Sequence, residues 1–96
     1  MEETKNTGQE YTSPSEVAEM STEFEKTLIL HNDDVNTFDH VINSLVEICG
    51  FSTHEAETCA LITHYKGRCP IKSGSYEELK PYYDALLDRQ LTVSIE

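Results

Sequence analysis

All but six of the chain's 36 apolar residues lie after Lys26, and this imbalance limits most strongly what the chain can fold into. Residues 1–26 offer only Met1, Tyr11, Val17, Ala18, Met20 and Phe24, scattered among Glu, Thr, Ser and Pro14 without a sustained period. A segment so poor in apolar surface cannot offset the entropy lost on ordering it. Residues 1–25 are therefore expected to be a flexible acidic tail, with no more than a passing turn of helix over Ser15–Met20. Residues 26–96 are left as one folding unit, close to the size at which a single core just offsets chain entropy. Such a core leaves little room for a deep active site of many parts.

Seven Lys and Arg against 18 Asp and Glu give a net charge of −11. That field repels phosphate backbones and anionic headgroups, so neither nucleic acid nor a membrane surface is an expected partner. Basic protein faces and cationic ligands fit it better. No run approaches the roughly 20 apolar residues of a membrane span, and the opening Met-Glu-Glu-Thr-Lys has neither a basic nor an apolar leader region. Cys49, Cys59 and Cys69 form no Cys-x-x-Cys pair. They read as reduced thiols of a cytoplasmic protein, buried as small hydrophobes, and their spacing offers no zinc knuckle.

The order of elements follows from period and punctuation. Thr27–His31 is a β-rich run closed by the turn cluster Asn32-Asp33-Asp34. Thr37 reads as the N-cap of an amphipathic helix whose stripe is Phe38, Val41, Ile42, Leu45, Ile48 and Cys49, stopped at Gly50. Ser52-x-x-Glu55 is a capping box opening a second helix, with Ala56, Cys59, Ala60, Ile62 and Thr63 expected inward and Gly67 after its end. Arg68–Lys72 is expected to be an edge strand, because Pro70 cannot donate to a ladder. A second box, Ser75-x-x-Glu78, opens a third helix with inner residues Leu79, Tyr82, Tyr83 and Leu86; Pro81 predicts a late start or a bend. Leu91, Val93 and Ile95 alternate with polar residues, as in a half-buried strand. The expected fold is α+β, β-α-α-β-α-β, with a small three-stranded antiparallel sheet packed against three helices.

Three groups of residues can carry chemistry. One is the polar run His31-Asn32-Asp33-Asp34 where the first strand stops. Another is His64 near the end of the second helix. The third is an apolar set, Leu30, Phe38, Val41 and Leu91, near the same junction. His31, Asp33, Asp34 and His64 make a conceivable ligand list for a small metal-dependent hydrolase, although adjacent loop residues seldom all face one ion. Asp33 and Asp34 could pair for acid–base work, or simply form a good turn. Cys59 and His64 are five residues apart on one helix and so on different faces, which disfavours a nucleophile–base pair. His40 and His54, in first helical turns, are expected to be solvated. Lys66 and Arg68 are too few for a nucleic-acid patch. The residues alone leave three readings open: a binding site, a metal site, or a plain interaction module with no ligand.

Leu28-Ile-Leu-His-Asn-Asp-Asp34, a helix opening at Phe38 and continuing Val41-Ile42, and His64-Tyr65-x-Gly67-Arg68 together resemble the ClpS adaptors of bacterial N-degron proteolysis, over essentially residues 27–96. The resemblance implies a non-catalytic adaptor, without metal or cofactor and monomeric. It would bind the first residue of a protein substrate and deliver that protein to the N-terminal domain of a Clp-family AAA+ unfoldase. By the same resemblance Asn32, Asp33 and His64 hold the free α-amino group, and Asp34 shapes the site or contacts the next residue. A pocket of Leu30, Phe38, Val41, Thr63 and Leu91, with Ala60 at its rim, takes a bulky Phe, Leu, Tyr or Trp side chain. That division suits an ammonium, whose three donors need fixed acceptors and a nearby carboxylate to offset desolvation. Ala60 stands where relatives commonly carry methionine or another bulky residue, and Phe38 is larger than the usual methionine of the first helix. Glu78 and Lys80 correspond to the family's unfoldase-docking Glu-x-Lys.

Overall fold

The computed structural model describes residues 25–96. The expected acidic tail and its turn over Ser15–Met20 lie outside the described residues. In chain order the elements are β1 (Lys26–His31), α1 (Phe38–Cys49), α2 (Thr53–Lys66), β2 (Arg68–Gly74), α3 (Tyr76–Asp88) and β3 (Val93–Ile95). This is the α+β arrangement expected from the sequence.

Local chemistry sets the helix ends. The Thr37 side chain accepts from His40 N–H to start α1, and Gly50 closes it in the left-handed region. Both capping boxes form: Ser52 with Glu55 opens α2, and Ser75 with Glu78 opens α3. The third helix begins at Tyr76, directly after its cap, and runs through Pro81, so the late start is not seen. Proline there removes one backbone donor on an exposed face, where water can serve the orphaned carbonyl.

The sheet order is β2-β1-β3, antiparallel throughout, with β1 in the middle. Pro70 therefore does sit on an edge strand. That strand extends to Gly74, two residues beyond Lys72, through a bulge: Leu28 faces Lys72 while Ile29 faces Pro70, leaving Ile71 without a partner. The last strand is shorter than its alternating pattern. Leu91 precedes it, although Thr27 and Glu96 still exchange backbone hydrogen bonds at 2.8 and 2.9 Å.

The core lies between the helices and one face of the sheet. Leu28, Leu30, Cys69 and Val93 meet Leu45, Ala56, Cys59, Leu79 and Leu86 there. Ile62 was expected inward but is 40% exposed, whereas Thr63 is buried. The helical period explains the difference, since residue 62 stands about 100° from residue 63 and turns its back on the sheet. On the sheet's other face, Ile29 alternates away from the helices and is still buried. Arg68 on β2 and Glu96 beyond β3 form an ion pair that crosses β1 on that side.

Candidate ligand-binding site

β1 delivers the polar run to one end of the sheet, and backbone bonds hold it there. His31 N–H donates to the Thr92 carbonyl at 2.8 Å, and Asn32 N–H donates to the Gly67 carbonyl at 2.9 Å. Gly67 makes the second bond available. At φ 93° it ends α2 in a conformation that strains any L side chain, donates to the Thr63 carbonyl and turns its own carbonyl toward Asn32. This junction brings Asn32 close to His64, one turn back on α2.

A cavity of about 280 Å³ opens at the junction. Asn32, Asp33, Asp34 and His64 contribute its polar side, and Leu30, Phe38, Val41, Ala60, Thr63 and Leu91 its apolar side. The sequence-selected residues thus line one space. Two further residues line it: His31, which the sequence grouped with the polar run but not with the amine site, and Asn36, which was not selected. Small-molecule sites commonly enclose roughly 300–1,000 Å³, so this space suits one side chain with its head group. Leu30, Ala60, Thr63 and Leu91 are buried around its interior, while Phe38 is 43% exposed at the mouth. Thr63 Oγ1 donates to the Cys59 carbonyl at 2.8 Å, which uses its hydroxyl within α2.

Asp33 does something the sequence did not reveal. Its Oδ1 accepts from the backbone N–H of Val35 and of Asn36, each at 2.9 Å. Its Oδ2 accepts from Asn36 Nδ2 at 2.9 Å and from Thr92 Oγ1 at 3.0 Å. A carboxylate offers about four lone-pair sites, so four donors occupy it. Partial burial by itself raises the carboxyl's pKa, but the bonds from Asn36, Val35 and Thr92 outweigh that and hold it below the usual value. Asp33 is thus the centre of the loop's own hydrogen bonding. Asp34 is exposed, and among the described residues its carboxylate has no hydrogen-bond partner.

Other expected roles separate in space. Although His31 lines the cavity with Asp33, Asp34 and His64, its imidazole bonds Ser94 Oγ at 2.7 Å on the sheet face away from the helices. No three His, Cys, Asp or Glu residues are grouped to hold a metal among the described residues. His40, expected in solvent, is half-buried, with Nε2 bonded to the Arg89 carbonyl at 2.8 Å. Glu78 and Lys80 sit near the start of α3, at the Lys26–Gly74 end of the sheet and away from the cavity. Glu78 accepts from Ser75 N–H at 2.9 Å as a helix cap, and Lys80 holds both Asp84 oxygens at 2.9 Å.

Sequence reasoning passed over Asn36 and His40 as parts of this region. Asn36 stands three residues after Asp33 and directly before an N-cap, a position from which an amide can close a local turn. That signal was available. The reach of His40 to Arg89 spans 49 residues and leaves no local trace.

The fold and cavity define a small α+β domain with a cavity that is polar at one side and apolar at the other. Comparison with known proteins gives the class a family. The sequence profile of "ATP-dependent Clp protease adaptor protein ClpS" matches residues 22–93, and the chain belongs to the ClpS family. Over 52 residues it is 36% identical to proteins named ATP-dependent Clp protease adapter protein ClpS from Streptomyces coelicolor and Streptomyces avermitilis. The match takes in 54% of this chain and 54% and 50% of those proteins, so the chain spans about half the length of the curated relatives it matches. The structure of Agrobacterium tumefaciens ClpS2 bound to L-phenylalaninamide superimposes with a TM-score of 0.66 at 16% identity, covering 77% of this chain and 96% of that one. At that identity the likeness concerns the fold. Among the described residues no helix is long and apolar enough to cross a membrane.

Proposed function

We propose that this chain is a non-catalytic, cytoplasmic adaptor that grips the free amino terminus of a protein whose first residue is Phe, Leu, Tyr or Trp and delivers it to the N-terminal domain of a Clp-family AAA+ unfoldase. The observation that carries this reading is the division of one small cavity into a polar side, with Asn32, Asp34 and His64, and an apolar interior. An ammonium requires acceptors and an opposite charge once water is removed, and both stand beside a space for one large side chain. Asn32 and His64 supply acceptors and Asp34 the available carboxylate. Asp33 adds its charge while holding the loop. Burial of a Phe or Leu side chain contributes roughly 2–3 kcal/mol, enough with the charged contacts for a releasable grip. ClpS2 of Agrobacterium tumefaciens was solved with L-phenylalaninamide, which joins a free amine to an aromatic side chain, and that pairing fits the same division.

Docking to the unfoldase is assigned to the α3 end of the sheet, where Glu78 lines an open depression with Lys72, Ser73 and Tyr82, and Lys80 follows two residues along α3. An adaptor gains from this separation, since substrate and unfoldase then need not compete for one surface. Fluorescence anisotropy with peptides that differ only at their first residue tests the reading. Phe-, Leu-, Tyr- and Trp-start peptides are expected to bind and a Gly-start peptide to bind at least tenfold more weakly, in line with the loss of ~2 kcal/mol of burial. Equal affinity for Phe and Gly would overturn it.

A further inference from the structure

The loop that carries Asp33 and Asp34 is not free-standing. Asn36 Nδ2 donates at 2.9 Å to Asp33 Oδ2 and at 2.9 Å to the backbone carbonyl of Gln90. An amide nitrogen has two donors, so this side chain is used as a bridge, with one end on the acidic loop and the other on the turn after α3. That turn is itself strained: Gln90 has φ 68°, the left-handed region that non-glycine residues seldom occupy. Its neighbours bind it to the same site. His40 Nε2 holds the Arg89 carbonyl, Thr92 Oγ1 donates to Asp33, and Thr92 accepts from His31 N–H. Leu91, between the bonded residues 90 and 92, is a buried wall of the cavity.

We propose that Asn36 is a positioning residue for amino-terminus recognition: its amide clamps the Asp33 carboxylate to the Gln90 carbonyl and so fixes the charge-reading loop in register with the turn that carries Leu91. This inference rests on the function proposed above and adds a residue to it. Without the clamp, Asp33 keeps three of its four donors, so the loop retains its turn, but among the described residues the loop and the Leu91 turn are then hydrogen-bonded only through Thr92. The polar contacts to an ammonium then lose their fixed placement, while the apolar interior persists: Leu30, Phe38, Val41, Ala60 and Thr63 stand on β1, α1 and α2, and Leu91 keeps its own N–H bond to the Leu86 carbonyl at 3.1 Å. The cost falls on the amine and spares the side chain.

Two probes separate those contributions: a peptide beginning with free Phe, and its desamino counterpart beginning with a 3-phenylpropionyl group, which keeps the ring and lacks the ammonium. With the full chain, Asn36→Ala is expected to weaken the free-Phe peptide about tenfold, the scale of one hydrogen bond to a charged group, and to leave the desamino peptide within twofold. Asn36→Ser, which keeps one donor, should fall between and carries the test if the alanine variant does not fold. Carbon-13 NMR titration of the Asp33 carboxyl gives an independent signature, an upward shift in Asn36→Ala, since the Asn36 side chain contributes to holding that carboxyl low. Unchanged free-Phe affinity, or an equal loss for both peptides, would overturn the proposal and leave the adaptor reading intact. Failure of the unsubstituted chain to prefer free Phe over its desamino counterpart would overturn both.

Discussion

Replacing Asp33 by alanine removes four hydrogen bonds at once, and the consequence can be scaled from their geometry. Two of the four come from backbone N–H groups of Val35 and Asn36, in a loop that solvent reaches, and two from the side chains of Asn36 and Thr92. Hydrogen bonds to a charged acceptor contribute about 1.5–3 kcal/mol each when desolvated. Water replaces the acceptor for the exposed Val35 donor, so the net loss is smaller than four such bonds. About 2 kcal/mol is the expected destabilisation. For a domain of this size each kcal/mol moves Tm by roughly 4–8 °C, which puts Asp33→Ala about 8–16 °C below the parent by circular dichroism melting at pH 7. Peptide affinity should fall as well, because the loop that presents Asn32 and Asp34 is no longer held. A variant melting within a degree of the parent would refute this. So would a variant that melts as expected while its affinity for a Phe-start peptide is unchanged, which would free Asp33 of any part in binding.

Acid should act through the same carboxylate. The folded pKa of Asp33 lies below its unfolded value of about 3.8, so its stabilisation is complete above that value and is lost as pH falls through the folded pKa. Melts between pH 5 and pH 2 should show the parent losing more stability than Asp33→Asn; parallel losses would contradict this. Ser44 is fully buried on α1 and its hydroxyl has no partner among the described residues. Ser44→Ala should therefore raise stability by about 1 kcal/mol, through relief of that orphan group and better helix propensity, and a lower Tm would count against it. Burial and the neighbouring Cys69 thiol push the Cys59 thiol up to about 12; burial also raises the half-buried Cys49, with the Lys72 charge acting against it. Alkylation at pH 8 should accordingly modify Cys49 first and Cys59 only on unfolding; mass spectrometry finding Cys59 labelled early would reverse that order.

What the sequence made legible was local, or periodic over one element. Ser52 with Glu55 and Ser75 with Glu78 are complete signals four residues long, and both helices start where those signals place them. The stripe from Phe38 to Cys49 and the missing donor of Pro70 likewise contain their own consequences, which gave α1 and an edge strand. The residues chosen around the cavity came from a family pattern joined to those elements, and they line one space because Gly67 returns the chain to Asn32. Contacts made at a distance were not legible. Asn36 reaches across 54 residues to Gln90, and His40 across 49 to Arg89, and nothing local marks those two reaches, although the bond from Asn36 to Asp33 had a local signal. His31 was grouped with Asp33 by adjacency, yet strand alternation sends its ring to Ser94 on the other face. Asp33 itself was assigned to an amine by the family resemblance; three of its four internal donors lie within three residues of it, and only the Thr92 hydroxyl arrives from a distance.

The most direct measurement is a two-dimensional NMR titration of the full, nitrogen-15-labelled chain with a Phe-start peptide and, in parallel, the same peptide acetylated at its amino terminus. The free peptide is expected to shift the Asn32 side-chain amide, the His64 ring and the backbone amides of Ala60 and Leu91 together, with one binding constant. The acetylated peptide should leave all of them in place at the same concentration. Matching shifts from both peptides, or shifts confined to residues outside the cavity, would contradict recognition of a free amino terminus at this site.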